Sequence, residues 1–159
     1  KTGHSFIKAK MKETGALLAG EMSGHVFFKE RWFGFDDGLY AGARLLEYLS
    51  KQADFNATLH SLPDTVNTPE LNIKMAEGEH YALMATLQKT AKFPDAQDVI
   101  TLDGLRVEYA DGFGLARPSN TTPVIVLRFE ADNAGALERI QAEFRRVIHQ
   151  AAPALTLPF

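Results

Sequence analysis

Val99-Ile100-Thr101-Leu102-Asp103-Gly104-Leu105-Arg106-Val107-Glu108-Tyr109 decides the fold, because two apolar, β-branched runs flank Asp-Gly, the preferred dipeptide of a tight hairpin turn. Asp111-Gly112 repeats the device and turns the chain into Phe113 to Arg117. After Pro118-Ser119-Asn120-Thr121-Thr122-Pro123 comes the most apolar strand, Val124 to Phe129. Upstream, Leu71-Asn72-Ile73-Lys74-Met75 alternates strictly, as a strand with one buried face does. Leu83, Met84, Leu87 and Ala91 predict a helix from about Glu79 to Thr90. Leu137, Ile140, Phe144, Val147 and Ile148 predict another, capped by Asn133 and stopped by Pro153. The order β-α-β-β-β-α predicts a four-stranded antiparallel sheet with both helices on one face, an α+β unit over residues 71–159.

Outward from that unit, Pro63 through Pro69 holds Asp64, Thr65, Asn67 and Thr68, and residues 63–70 read as a hinge linker. Residues 1–62 read as the closing part of an α/β domain. Phe6, Ile7 and Met11 among lysines predict a short helix, capped by Ser5 or Thr2 and closed near Gly15. Ala16-Leu17-Leu18-Ala19 predicts a short buried strand, and Val26-Phe27-Phe28 a second. Leu39, Ala43 and Leu46, broadened by Leu45 and Leu49, form a helical stripe behind Asp36-Asp37-Gly38. The paired aspartates read as helix capping in preference to a metal site. Asp54, Phe55, Leu59 and Leu62 predict one further short helix. Trp32 reads as packing rather than as a sugar-stacking face. About sixty residues with two short strands bury too little surface alone, so this part is expected to lack partner strands and to leave an apolar face exposed. The chain begins at Lys1, which fits a piece of something longer.

The 159 residues are 45% hydrophobic and 23% charged, an ordinary globular composition. A net charge of −3 and a pI near 6.0 argue against a nucleic-acid groove. No cysteine is present, so disulfides and thiolate metal sites are excluded, which fits a reducing cytoplasm and equally any compartment where the fold needs no staples. No apolar run reaches membrane-spanning length, so no membrane partner is expected.

Two polar constellations interrupt this frame. Gly20-Glu21-Met22-Ser23-Gly24-His25 packs a carboxylate, a hydroxyl and an imidazole between glycines. Glu21 and Ser23 accept and donate hydrogen bonds, as a polyol requires, and His25 exchanges a proton near neutral pH. The same letters also suit a polar turn. The spacing is not that of a serine-hydrolase elbow, which disfavours a hydrolase using Ser23 and His25. Arg117, Ser119, Asn120 and Thr121 combine a guanidinium with hydroxyl, amide and backbone donors, as a phosphate dianion requires, although a plain β-turn uses the same residues.

Gly20 to His25, Asp36-Asp37-Gly38 and Arg117-Pro118-Ser119-Asn120-Thr121 together resemble the α-D-phosphohexomutase superfamily, and most closely its bacterial phosphomannomutase/phosphoglucomutase group. Lys1-Thr2-Gly3-His4-Ser5, the element order and the terminal Leu-Pro-Phe are similar as well. The resemblance implies a third-domain ending followed by a complete, TATA-binding-protein-like fourth domain. It implies that Glu21 and Ser23 hold the sugar 3- and 4-hydroxyls and that His4 lines the same cleft. It further implies proton transfer at His25 and capture of the non-reacting phosphate by Arg117, Ser119, Asn120 and Thr121. Met22, where relatives acting on glucosamine phosphate usually have glutamine, favours glucose and mannose. Thr122 departs from a position that is often acidic.

The implied reaction moves a phosphoryl group between O1 and O6 of a hexose through glucose 1,6-bisphosphate or its mannose counterpart. The family's phosphoserine loop and its Asp-x-Asp-x-Asp loop for Mg²⁺ do not occur in these residues, so no metal ligand is expected here and the chain alone is expected to be inactive. Phosphosugars, the amino-terminal domains of the same enzyme and a monomeric whole are the implied partners and state. The alternative is a stand-alone phosphosugar-binding module.

Overall fold

Glycines bracket the first helix of the computed structural model, which describes residues 1–159. Helix α1 (His4–Thr14) follows Gly3 and ends at Gly15. The expected cap at Ser5 or Thr2 is corrected, since Ser5 lies within the helix and Gly3 occupies the cap position without a side-chain bond. The amide of Gly3 donates to Glu21 Oε1 at 2.9 Å, and this bond ties the helix start to the loop that follows. Two units are distinct in the chain, Lys1–Pro63 and Asp64–Phe159.

In the first unit, β1 (Leu18–Gly20) and β2 (Val26–Phe28) form an antiparallel pair with Leu18 opposite Phe28 and Gly20 opposite Val26. The buried strand expected at residues 16–19 is corrected. Leu17 and Leu18 are each 57% exposed, because β1 and β2 have only each other as sheet neighbours. Asp37 caps α2 (Gly38–Leu49) by accepting from the Tyr40 amide, and Asp54 caps α3 (Phe55–His60) by accepting from that of Ala57. The stripe of α2 finds little to cover it: Leu39 is 90% exposed, and Leu45 and Leu46 are also exposed. The expected open apolar face is therefore present. Trp32 stacks on Tyr40 with ring centres 4.3 Å apart and donates to Asp37, which is the packing role.

The second unit contains β3 (Val66–Asn67), β4 (Leu71–Lys74), α4 (Glu79–Thr90), β5 (Asp98–Ile100), β6 (Leu105–Tyr109), β7 (Gly112–Pro118), β8 (Val124–Ala131) and α5 (Ala134–Ala151). Strands β4, β8, β7 and β6 make the expected antiparallel four, with Ile73 opposite Ile125, Ala116 opposite Leu127 and Val107 opposite Gly114. Short strands extend it at both sides. β5 pairs β6, while β3 lies on the same side of β8 as β4 and pairs its far end. Part of the expected 63–70 linker is therefore strand, and Thr68 continues the attachment by bonding both to and from Phe129.

Alternation along β6 and β8 sends Leu105, Val107, Tyr109, Ile125, Leu127 and Phe129 into a core with Leu83, Met84 and Leu87 of α4 and Ile140, Phe144 and Val147 of α5. Asn133 caps α5 through the Ala136 amide, as expected. At Gly114 a Cβ would strike the ring of Phe144, so this glycine is what lets α5 lie close on the sheet. Gly104, at φ +114, closes the Asp-Gly turn in a conformation that L side chains rarely adopt. His80 joins the α4 stripe, one turn before Leu83 and Met84, and is 1% exposed.

Candidate functional site

The loop between β1 and β2 is closed by its own backbone. Glu21 N–H donates to the His25 carbonyl at 2.9 Å, and Gly24 N–H donates to the Glu21 carbonyl at 2.9 Å. Gly24 sits at φ +89, the left-handed region that makes so short a loop affordable only with glycine. Glu21 is half-buried with one carboxylate oxygen committed to Gly3, which orients the other; Ser23 is exposed at the loop tip.

His25 leaves this loop at the start of β2 and meets Asp36. Its Nδ1 lies 2.7 Å from Asp36 Oδ2. An isolated antiparallel bridge between Phe27 and Asp36 holds the aspartate backbone beside β2, so this contact is set by strand geometry. With Nδ1–H donated to the carboxylate, Nε2 is the nitrogen left to take or give a proton. His4, from the first turn of α1, places Nε2 at 3.5 Å from the same oxygen, and its ring stands edge-on to that of His25 at 4.6 Å. His4 and His25 thus stand side by side on one carboxylate oxygen. The sequence pairs Asp36 with Asp37 as capping acids; only Asp37 caps, and Asp36 is the residue that orients the imidazole. Its partner lies eleven residues away across a hairpin, a distance that spacing alone does not reveal.

The donors that gather here do not fit magnesium. Magnesium takes oxygen ligands in octahedral order, whereas His4, His25 and Asp36 offer two imidazole nitrogens and one carboxylate.

In the second unit, Arg117 is next to last in β7, opposite Val126, on the sheet face away from the helices. A groove of about 410 Å³ runs along that face, and its polar lining comes from Asn72, Lys74, Arg117, Ser119, Thr121 and Thr122, with one carboxylate, Glu70, among them. Ser119 is the keystone of the loop. It is only 8% exposed, and its Oγ accepts the amides of Thr121 and Thr122, both at 3.3 Å. Its own amide donates to the Val124 carbonyl, and Tyr81 Oη donates to its carbonyl at 3.2 Å. Asn120 and Thr121 are exposed. Lys74 brings a second cation to the groove that sequence reasoning missed; its outward position in the alternation of β4 was the available signal.

Two family descriptions match the chain: phosphoglucomutase/phosphomannomutase, alpha/beta/alpha domain III, over residues 1–66, and phosphoglucomutase/phosphomannomutase, C-terminal domain, over residues 70–147. A phosphoglucomutase of Neisseria meningitidis is 62% identical over 149 residues, 93% of this chain and 32% of that protein. A phosphomannomutase/phosphoglucomutase of Pseudomonas aeruginosa is 56% identical over 160 aligned positions, covering 100% of this chain and 34% of the relative. A crystal structure of a phosphoglucomutase/phosphomannomutase family protein from Burkholderia thailandensis superposes with a TM-score of 0.93 at 62% identity, over 100% of this chain and 33% of that one. The chain spans about a third of the length of the curated relatives it matches. With one family description over each of its two units, the chain belongs to the phosphoglucomutase/phosphomannomutase family.

Proposed function

We propose that residues 1–159 are the sugar-gripping and phosphate-gripping portion of a phosphohexomutase that interconverts hexose 1-phosphate and hexose 6-phosphate of glucose and mannose. The observation that carries the reading is that each loop is already built: Glu21 is aimed by Gly3, and the amides of Thr121 and Thr122 are gathered on one hydroxyl. Loops held in shape before binding lose less entropy on binding.

Glu21 and Ser23 take adjacent hydroxyls of the sugar. Glucose and mannose share the 3- and 4-hydroxyls, so this grip accepts either hexose and either orientation of a bisphosphate. Arg117 supplies a guanidinium fork to the phosphate that is not reacting, and Lys74 adds positive charge across the groove. The 3.3 Å amide contacts to Ser119 are long for hydrogen bonds, and a phosphate oxygen is a stronger acceptor for the same N–H groups. Asn120 and Thr121 complete the shell from exposed positions. His25 exchanges a proton at Nε2 with the sugar hydroxyl that gains or loses the phosphoryl group, held in one tautomer by Asp36. His4 lines the same pocket.

The phosphoryl carrier and the Mg²⁺ of such an enzyme belong to residues outside this portion, with glucose 1,6-bisphosphate as intermediate, in a cytoplasmic monomer. No helix is long and apolar enough to cross a membrane.

Titration of glucose 1-phosphate into the chain, followed by amide NMR, tests this. Shifts are expected in residues 20–25 and in residues 117–122. Inorganic phosphate is expected to move only the second set. Unmoved amides in both loops overturn the reading. In the intact enzyme, Arg117→Ala is expected to raise KM by about tenfold or more, the loss of a charged hydrogen-bonded pair.

A further inference from the structure

The three side chains grouped around Asp36 Oδ2 carry chemistry beyond proton exchange. We propose that His4 Nε2, His25 Nδ1 and Asp36 Oδ2 form a three-donor site for a divalent cation of the zinc class, and that its occupancy takes His25 out of service. The donor atoms all lie within 4.8 Å of one another, with the carboxylate oxygen 2.7 Å from His25 and 3.5 Å from His4. Donors around a tetrahedral zinc at about 2.0–2.2 Å stand about 3.3–3.6 Å apart. The His4 to Asp36 separation already fits, and the remaining two require shifts of no more than about 1.5 Å. Two imidazoles and one carboxylate match a borderline cation and not magnesium.

The scaffold is firm on each side. His4 sits in the first turn of α1, where the Gly3 amide is fastened to Glu21, His25 enters β2, and Asp36 is bridged to Phe27. His4 and His25 are half-exposed, which leaves open coordination positions for water. Binding has a defined proton balance. A cation on Nδ1 uses the lone pair of a neutral imidazole, so the proton shared with Asp36 relocates to Nε2. That nitrogen then no longer accepts a proton from a sugar hydroxyl. The binding follows from the donor set alone; the inhibitory consequence rests on the reading of His25 given under the proposed function.

Histidine-ring NMR on the 159-residue chain, titrated with zinc chloride, is the test. The chain has five histidines, so His60, His80 and His149 are internal controls. One equivalent is expected to move the rings of His4 and His25 alone, and magnesium chloride at the same concentration neither. Asp36→Asn and, independently, His4→Gln are each expected to weaken zinc binding by about tenfold or more, as loss of a ligand or orienting partner does. His4 is half-exposed, so the second variant keeps the test open should the first disturb the fold. Absence of saturable binding, earlier movement of His60 or His149, or an affinity unchanged in both variants overturns the site. With zinc bound, His25 Nε2 is expected to give the nitrogen signal of a protonated ring nitrogen, and an unprotonated Nε2 overturns the blocking. Absence of glucose 1-phosphate shifts in residues 20–25, with zinc or without it, sinks the sugar reading and leaves the cation site standing.

Discussion

The two units of this chain handle the same apolar richness in opposite ways. Asp64–Phe159 closes a core, whereas Lys1–Pro63 buries only Met11, Phe27 and Leu49 and leaves Leu17, Leu18, Leu39, Leu45 and Leu46 exposed. The difference lies in sheet partners. β8 is paired along both sides, and its inward row meets two helices; β1 and β2 have only each other as strand neighbours, so Leu18 and most of the stripe of α2 stay uncovered. Apolar periodicity predicts an element; burial also needs a neighbour. Stability in this chain therefore resides in the second unit, and the first keeps its loops by capping bonds, aromatic stacking and ion pairs.

The sharpest way to break this contrast is Phe144→Ala in the second unit. Phe144 is 0% exposed, and truncation is expected to cost about 3–5 kcal/mol, read from urea unfolding. Next come the caps. Asn133→Ala is expected to lower second-unit stability by about 1 kcal/mol, and Asp37→Ala to lower helicity in the first unit without moving the urea midpoint of the second.

Acid provides a smaller effect confined to the first unit. Hydrogen bonds from Arg31 and then Lys51 hold the Glu47 carboxyl down to about 2, and Arg44 lowers that of Glu30. A lowered folded-state value means that the stabilisation is complete above the ordinary carboxylate range and is lost as pH falls through it toward about 2. Trp32 is the sole tryptophan and stacks on Tyr40, so its fluorescence is expected to change over that window before the second unit responds. The smallest effect is expected for Leu39→Ser. At 90% exposure the change should stay within about 0.5 kcal/mol in this chain, although the same residue reads as core from its helical spacing.

Leu39 marks the boundary of what was legible. Hairpins at Asp103-Gly104 and Asp111-Gly112, the Asn133 cap and the α4 and α5 stripes follow local rules, and the structure contains each of them. The buried strand at 16–19 required neighbours that local rules do not supply. At the site, residue types and glycines singled out both loops, because their chemistry is local. Asp36 escapes local rules, since its place comes from a bridge to Phe27, and burial makes Ser119 the hub of its own turn, which its residue type alone does not reveal. His80 shows the converse: a titratable letter placed by helical period in a core.

The end-to-end placement of β3 and β4 on β8 bears on how these molecules meet one another. An uninterrupted outer strand is a template on which a second chain can pair. Here that template is cut into pieces of two and four residues, with Pro69, which has no amide hydrogen to offer, in the gap. The opposite border is the three-residue β5, headed by Asp98, whose side chain takes up the Val99 amide. Neither border of the larger sheet presents a continuous ladder, so strand-to-strand aggregation through this unit is discouraged at both sides.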